Sequence, residues 1–135
     1  MDIYDIEKKF KYLVEHYGMQ FVYKKYDNYY GQNYDVHTYS YYNKSGCFTI
    51  YTLPSRGELE FYYSKQYGEV LDCLKDRCIN IYSEINKDEW PRNAYFLGFS
   101  NPLFWFSYSK ILEGLSHVIK EKIKKNGTFF GIDVK

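Results

Sequence analysis

The chain has 135 residues, which suits one domain spanning 1–135 and excludes two substantial ones, and 45% of them are hydrophobic, which supplies a core and excludes disorder. Formal net charge is +1, from 18 Lys and Arg against 17 Asp and Glu, so no strong attraction to nucleic acid or to an anionic membrane is expected. Aromatic residues make up 22%, including 18 Tyr, a content that serves half-buried sheets and recognition surfaces alike.

Residues 2–17 carry a helical repeat. Ile3, Ile6, Phe10, Leu13, Val14 and Tyr17 share one stripe, Asp2 and Asp5 favour the N-terminus, and Gly18 suits a left-handed stop. The opposite face places Tyr4, Lys8, Tyr12 and His16 in an i, i+4 ladder; its two tyrosines pack beneath a later segment or face a partner.

From residue 19 to 64 the period becomes two. Met19–Tyr26, Asp35–Tyr42, Cys47–Leu53 and Glu58–Ser64 read as strands, separated by loops rich in Asn, Gly, Pro and Ser. Joining Leu53 to Glu58 through Pro54-Ser55-Arg56-Gly57 sets Ile50 opposite Phe61, Phe48 opposite Tyr63 and Thr52 opposite Leu59, which makes one face apolar. The other face carries Thr49, Tyr51, Glu58, Glu60 and Tyr62. Across Asn43-Lys44-Ser45-Gly46, the same reasoning sends Tyr39 and Tyr41 to the apolar side, and Ser40 and Tyr42 to the polar one.

Tyr67–Leu74 suits a short helix, Cys78–Ile85 a strand, and Tyr95–Phe106 an irregular aromatic run that closes over the core, with Trp105 buried in it. Ser109 then caps a helix whose Ile111, Leu112, Leu115, Val118, Ile119 and Ile123 form one stripe, ended by Asn126-Gly127, with Lys120, Lys122, Lys124 and Lys125 complementing the helix dipole. Burial of six such side chains at roughly 1.5–3 kcal/mol each makes this helix central to the fold. Thr128–Val134 returns as a final strand. The expected fold is therefore α+β: an antiparallel sheet of at least four strands, with an N-terminal helix, and a C-terminal amphipathic helix packed on one face.

Motifs for chemistry are missing from this pattern. Glu58 and Glu60 share a strand face about 6.5–7 Å apart, near the carboxylate separation of an inverting glycosidase. A flat face lacks the cleft that hydrolysis requires, and alternating Glu is also ordinary solvation that guards against edge aggregation. The five residues Thr49, Tyr51, Glu58, Glu60 and Tyr62 thus read as a solvated face or as a partner-binding one. His16, His37 and His117 do not converge, no Cys/His spacing supports a metal, and no cofactor motif is present. Cys47, Cys73 and Cys78 form neither an even framework nor a C-x-x-C pair, so reduced thiols in a cytoplasmic protein are expected. The N-terminus lacks the features of a secretory signal, and no charge-free run is apolar enough to span a membrane. Codons for Lys, Tyr, Asn, Ile and Phe are rich in A and T, so position rather than abundance must carry any argument from tyrosine.

A tyrosine surface mixed with acid and hydroxyl groups suits protein recognition. The segments Ile50-Tyr51-Thr52-Leu53-Pro54-Ser55-Arg56-Gly57-Glu58-Leu59-Glu60-Phe61-Tyr62-Tyr63, Asn101-Pro102-Leu103-Phe104-Trp105-Phe106 and Asn126-Gly127-Thr128-Phe129-Phe130-Gly131-Ile132 carry a likeness of style. In them the chain resembles the immunity proteins of bacterial contact-dependent growth inhibition and polymorphic toxin systems. The resemblance implies a non-enzymatic role with one partner, the C-terminal domain of a cognate toxin, whose active site is covered or distorted. Immunity proteins share no common binding signature, so it assigns no site residue, and the neutral charge departs from the acidic members that oppose nucleases. Two rival expectations are a ligand-binding protein or enzyme with a pocket under residues 95–106, and an accessory subunit of a larger complex.

Overall fold

A computed structural model of the chain describes residues 5–29, 34–53, 58–65, 79–80 and 108–134. The N-terminal stripe forms two short helices, α1 (Ile6–Lys9) and α2 (Lys11–Glu15), where a single one is predicted. The break is at Phe10, whose φ of −112° and ψ of 12° leave the helical region. Its ring is buried against Tyr41 and Phe48, with centroids 6.0 and 5.7 Å away, and the Leu13 N–H donates to the Phe10 carbonyl at 3.1 Å in a tightened turn. Seating that ring in the core therefore overrides the straight helix. Gly18 turns the chain as expected, with φ of 67°, a region that costs glycine little.

Four strands follow within one residue of the predicted starts: β1 (Gln20–Tyr29), β2 (Tyr34–Asn43), β3 (Gly46–Leu53) and β4 (Glu58–Ser64). A two-residue β5 (Ile79–Asn80), inside the predicted strand 78–85, pairs with β4, so the described antiparallel sheet has order β1-β2-β3-β4-β5. Both hairpin registers agree with the sequence: Ile50 opposes Phe61 and Tyr39, while Phe48 opposes Tyr63 and Tyr41. The predicted helix at 67–74, the aromatic run 95–106 with Trp105, Cys73 and Cys78 lie outside the described residues.

The C-terminal helix α3 (Tyr108–Asn126) packs on the apolar sheet face and ends at Gly127, whose φ is 73°. It opens one residue before Ser109, which accordingly lies in the first turn rather than at the cap. Residues 128–134 form a tight hairpin, β6 (Thr128–Phe129) and β7 (Ile132–Asp133), in place of one strand. Phe130 and Gly131, at φ of 49° and 79°, have the two positive angles of a primed hairpin turn. Folding back lets Phe129, Ile132 and Val134 join a continuous core with Ile6, Phe10, Leu13, Tyr39, Tyr41, Phe48, Ile50, Phe61 and the α3 residues Leu112, Leu115, Val118, Ile119 and Ile123. Among the described residues no helix is long and apolar enough to cross a membrane.

Two polar ties fix the layers. The Tyr12 hydroxyl donates to the Ser116 carbonyl at 3.0 Å, the Ser116 hydroxyl donates to the Lys9 carbonyl at 2.8 Å, and the Lys120 ammonium sits 4.6 Å from the Tyr12 ring centroid. Tyr12 thus packs beneath α3, the later segment. Burial pushes its phenol well above the ordinary tyrosine range, despite the bond to Ser116. A raised folded value means that the native phenol keeps its proton after the unfolded one has lost it near pH 10, so stability declines as pH rises above about 10. Tyr12→Phe is expected to cost about 1 kcal/mol at neutral pH and to flatten the alkaline decline, as read from urea midpoints between pH 8 and 11.

At the other tie, the Asn43 side-chain oxygen accepts from the N–H groups of Ser45 and Gly46, and its amide donates to the Asp133 carbonyl at 2.8 Å. The Asp133 N–H donates to the Ser45 hydroxyl at 2.8 Å, which clamps the β2–β3 turn to β7. A Cβ at Gly46 would stand 2.8 Å from Ile132 Cγ1 and 3.0 Å from the Ser64 carbonyl. Gly46→Ala is therefore expected to destabilise by about 1–3 kcal/mol through overpacking, visible as a lowered thermal midpoint.

Candidate functional site

The sequence-derived surface is assembled in register but is not exposed throughout. Thr49 opposes Tyr62, Tyr51 opposes Glu60 and Leu53 opposes Glu58, and the rings of Tyr51 and Tyr62 meet edge-on at 6.5 Å. Thr49 and Tyr51, however, retain only 6% and 3% of their accessible surface, and Val36, Thr38, Ser40, Cys47 and Ser64 on the same face are also buried. Thr49 and Tyr51 are thus buried in the chain alone, where the sequence pattern places them on a surface: the centre of the sheet is buried on both faces. Small hydroxyls permit this because they satisfy one another, with Ser40 Oγ 3.0 Å from Thr49 Oγ1 and the Thr38 hydroxyl donating to the Lys24 carbonyl at 3.3 Å. Polar alternation signals solvent only when the side chains are too large or too charged to pair inside. Tyr62 is half-buried.

The described aromatic surface that does meet solvent runs along the β1–β2 side of the apolar face. Alternation places Phe21, Tyr23 and Lys25 of β1 beside Tyr41, Tyr39 and His37 of β2, in the pairs Phe21–Tyr41, Tyr23–Tyr39 and Lys25–His37. Phe21 packs on Tyr41 at 4.9 Å, and Tyr23 stands edge-on to Tyr39 at 5.1 Å and stacks on His37 at 6.0 Å. Tyr23 Oη lies 2.6 Å from His37 Nδ1, a hydrogen bond whose donor is set by the imidazole tautomer. Tyr23 stays 37% exposed and Val14 of α2 38%, and these are the exposed large hydrophobic side chains among the described residues. Ion pairs close both ends: Lys11–Glu15 at 3.1 Å beside Val14, and Lys25–Asp35 at 3.5 Å beside His37.

The strip therefore combines exposed aromatic area, a fixed polar pair and charges neutralised in place. That arrangement matches an interface core with a polar rim. Sequence reasoning missed it because residues 30–33 lie between β1 and β2 and the register shifts between Tyr26 and Tyr29, so counting across the connection does not pair the strands. The available signal was the alternation of Phe21 and Tyr23 with Lys25.

A larger open groove of about 790 Å³ lies at the β2–β3 turn between Tyr17, Gln20 and Tyr42. Its Asn43 and Ser45 side chains are engaged in the clamp to β7, which gives that groove a structural explanation. His16, which follows α2, and His117, on α3, lie exposed, and Cys47 is a buried free thiol. The aromatic segment 95–106, with the pocket predicted beneath it, lies outside the described residues. Among the described residues no group of three or more His, Cys, Asp or Glu side chains is arranged to hold a metal ion. Comparison with family models, with curated proteins and with solved structures finds no match for this chain.

Proposed function

We propose that this protein works by binding another protein, as an immunity protein that neutralises a cognate bacterial toxin domain by covering or distorting its active site. The observation that supports binding is the solvent-facing strip of Val14, Phe21, Tyr23 and His37, bounded by the ion pairs Lys11–Glu15 and Lys25–Asp35. Tyrosine there offers large contact area at low entropic cost, and its ring is already oriented by Tyr39 and His37, so little ordering remains to be done on binding. The toxin partner itself rests on the likeness of sequence style to immunity proteins.

Affinity purification of the tagged chain from its native host, with mass spectrometry of what co-purifies, tests the proposal. The expected result is one stoichiometric partner, the C-terminal part of a large secreted or surface protein, whose recovery is lost with Tyr23→Ala. Recovery of a housekeeping complex in its place would make the chain an accessory subunit. An unchanged partner yield with Tyr23→Ala would remove the strip from the binding role.

A further inference from the structure

We infer that this chain pairs with a second copy of itself through the outer edge of β1, antiparallel and with the two-fold axis at Val22; the inference goes beyond the reading above and does not rest on it. β1 ends the described sheet, with β2 on one side and no described strand on the other. The two-residue turn Lys44-Ser45 makes Asn43 and Gly46 a hydrogen-bonded pair, so alternation along β2 turns the backbone groups of Tyr42, Ser40 and Thr38 towards β1. Gln20, Val22 and Lys24 answer them, and the Thr38 hydroxyl reaches the Lys24 carbonyl from the same side. Phe21 and Tyr23 therefore direct their N–H and C=O groups out of the sheet edge.

The sequence of β1 selects the occupant and the register. Lysines and bulges protect edge strands from pairing, and β1 has both in its second half: Lys24, Lys25 and a register shift between Tyr26 and Tyr29. Gln20, Phe21, Val22 and Tyr23 carry neither charge nor irregularity. Self-pairing about Val22 matches that stretch with itself. Phe21 of each copy then exchanges both backbone hydrogen bonds with Tyr23 of the other, the two valines face each other, and Gln20 opposes Lys24, so no lysine meets a lysine. Both aromatic pairs fall on the apolar face, where Phe21 and Tyr23 already pack on Tyr41 and Tyr39 and where Val14 stands exposed beside Phe21. A two-fold axis at Tyr23 would instead set Phe21 against Lys25 and Val22 against Lys24. The contact is isologous and closes at the dimer, and it joins the two aromatic strips into one.

Sedimentation equilibrium of the full chain and oxidative crosslinking of Val22→Cys test the pairing. Opposed residues of a non-hydrogen-bonded pair have Cα atoms about 4.5 Å apart, inside the range of roughly 4.4–6.8 Å that a disulfide spans. In this register residue 20 stands about 13 Å along the strands from its counterpart, so Gln20→Cys, exposed on the same sheet face, gauges random collision. A short edge contact belongs to the weak, dissociable class. The expected result is a mean mass that rises with concentration from 16.4 kDa towards twice that value. Val22→Cys, with a native amide spectrum, should become almost wholly disulfide-linked dimer, while Gln20→Cys stays at the background of the unaltered chain with its Cys47, Cys73 and Cys78. A mean mass that remains that of the monomer up to the highest soluble concentration would overturn the inference. So would crosslinking of Val22→Cys no greater than that of Gln20→Cys, since a dimer formed that way uses another surface or another register.

Discussion

Phe48→Ala is expected to destabilise the protein by about 3–5 kcal/mol, read as a lowered midpoint in chemical denaturation with little change in slope. Phe48 is fully buried and joins three parts of the chain. Its ring lies 5.7 Å from Phe10 of the N-terminal layer, 6.4 Å from Tyr41 of β2 and 5.9 Å from Phe129 of the C-terminal hairpin. These neighbours belong to separate elements held by their own hydrogen bonds, so they cannot collapse together into the void. The cavity term then adds to the lost transfer energy. Because Phe48 and Phe129 share that space, the double variant with Phe129→Ala should cost less than the two single costs added, by about 0.5–3 kcal/mol. A cost below about 1 kcal/mol for Phe48→Ala would mean that this face is not the core.

Phe48 also shows why so much of the fold was legible. Strands β2 to β4 are joined by short loops carrying Asn, Gly, Pro and Ser, so register follows from counting, and the alternation of Tyr39, Tyr41, Phe48, Ile50, Phe61 and Tyr63 names the apolar face on which α3 packs. The α3 stripe was equally plain, since six apolar residues recur at helical spacing before Asn126-Gly127. What escaped was decided by tertiary packing. The helix break at Phe10 arises from a ring that inserts between Tyr41 and Phe48, and helical periodicity is the same with or without it. The C-terminal hairpin depends on Phe130 adopting a positive φ, which an aromatic residue does not advertise; Gly131 was its single local sign. The burial of Thr49 and Tyr51 escaped for a related reason. Thr49 and Tyr51 alternate with apolar residues as solvent-facing side chains do, yet the Ser40–Thr49 pair shows that this face satisfies its hydroxyls internally.

Comparison of the two sheet faces is therefore the most consequential binding experiment. With the partner in hand, Tyr23→Ala should weaken affinity by about 30-fold or more, the size expected for a tyrosine at the centre of an interface. Glu58→Lys with Tyr62→Ala should change it by less than about threefold, as for residues at or beyond the rim. The asymmetry follows from geometry. Tyr23 presents its ring to solvent while Tyr39 and His37 hold it in place, so binding gains its area without ordering it. Tyr62 is half-buried and its ring is already in edge contact with the buried Tyr51, so less of it is available to a partner. Both variants should retain a native amide spectrum, which separates lost binding from lost folding. If affinity instead collapses with Glu58→Lys and Tyr62→Ala and survives Tyr23→Ala, the partner reads the β3–β4 face. Binding would then have to uncover Thr49 and Tyr51, and the association rate should be slow and independent of partner concentration at saturation, as for a step gated by opening of the protein itself.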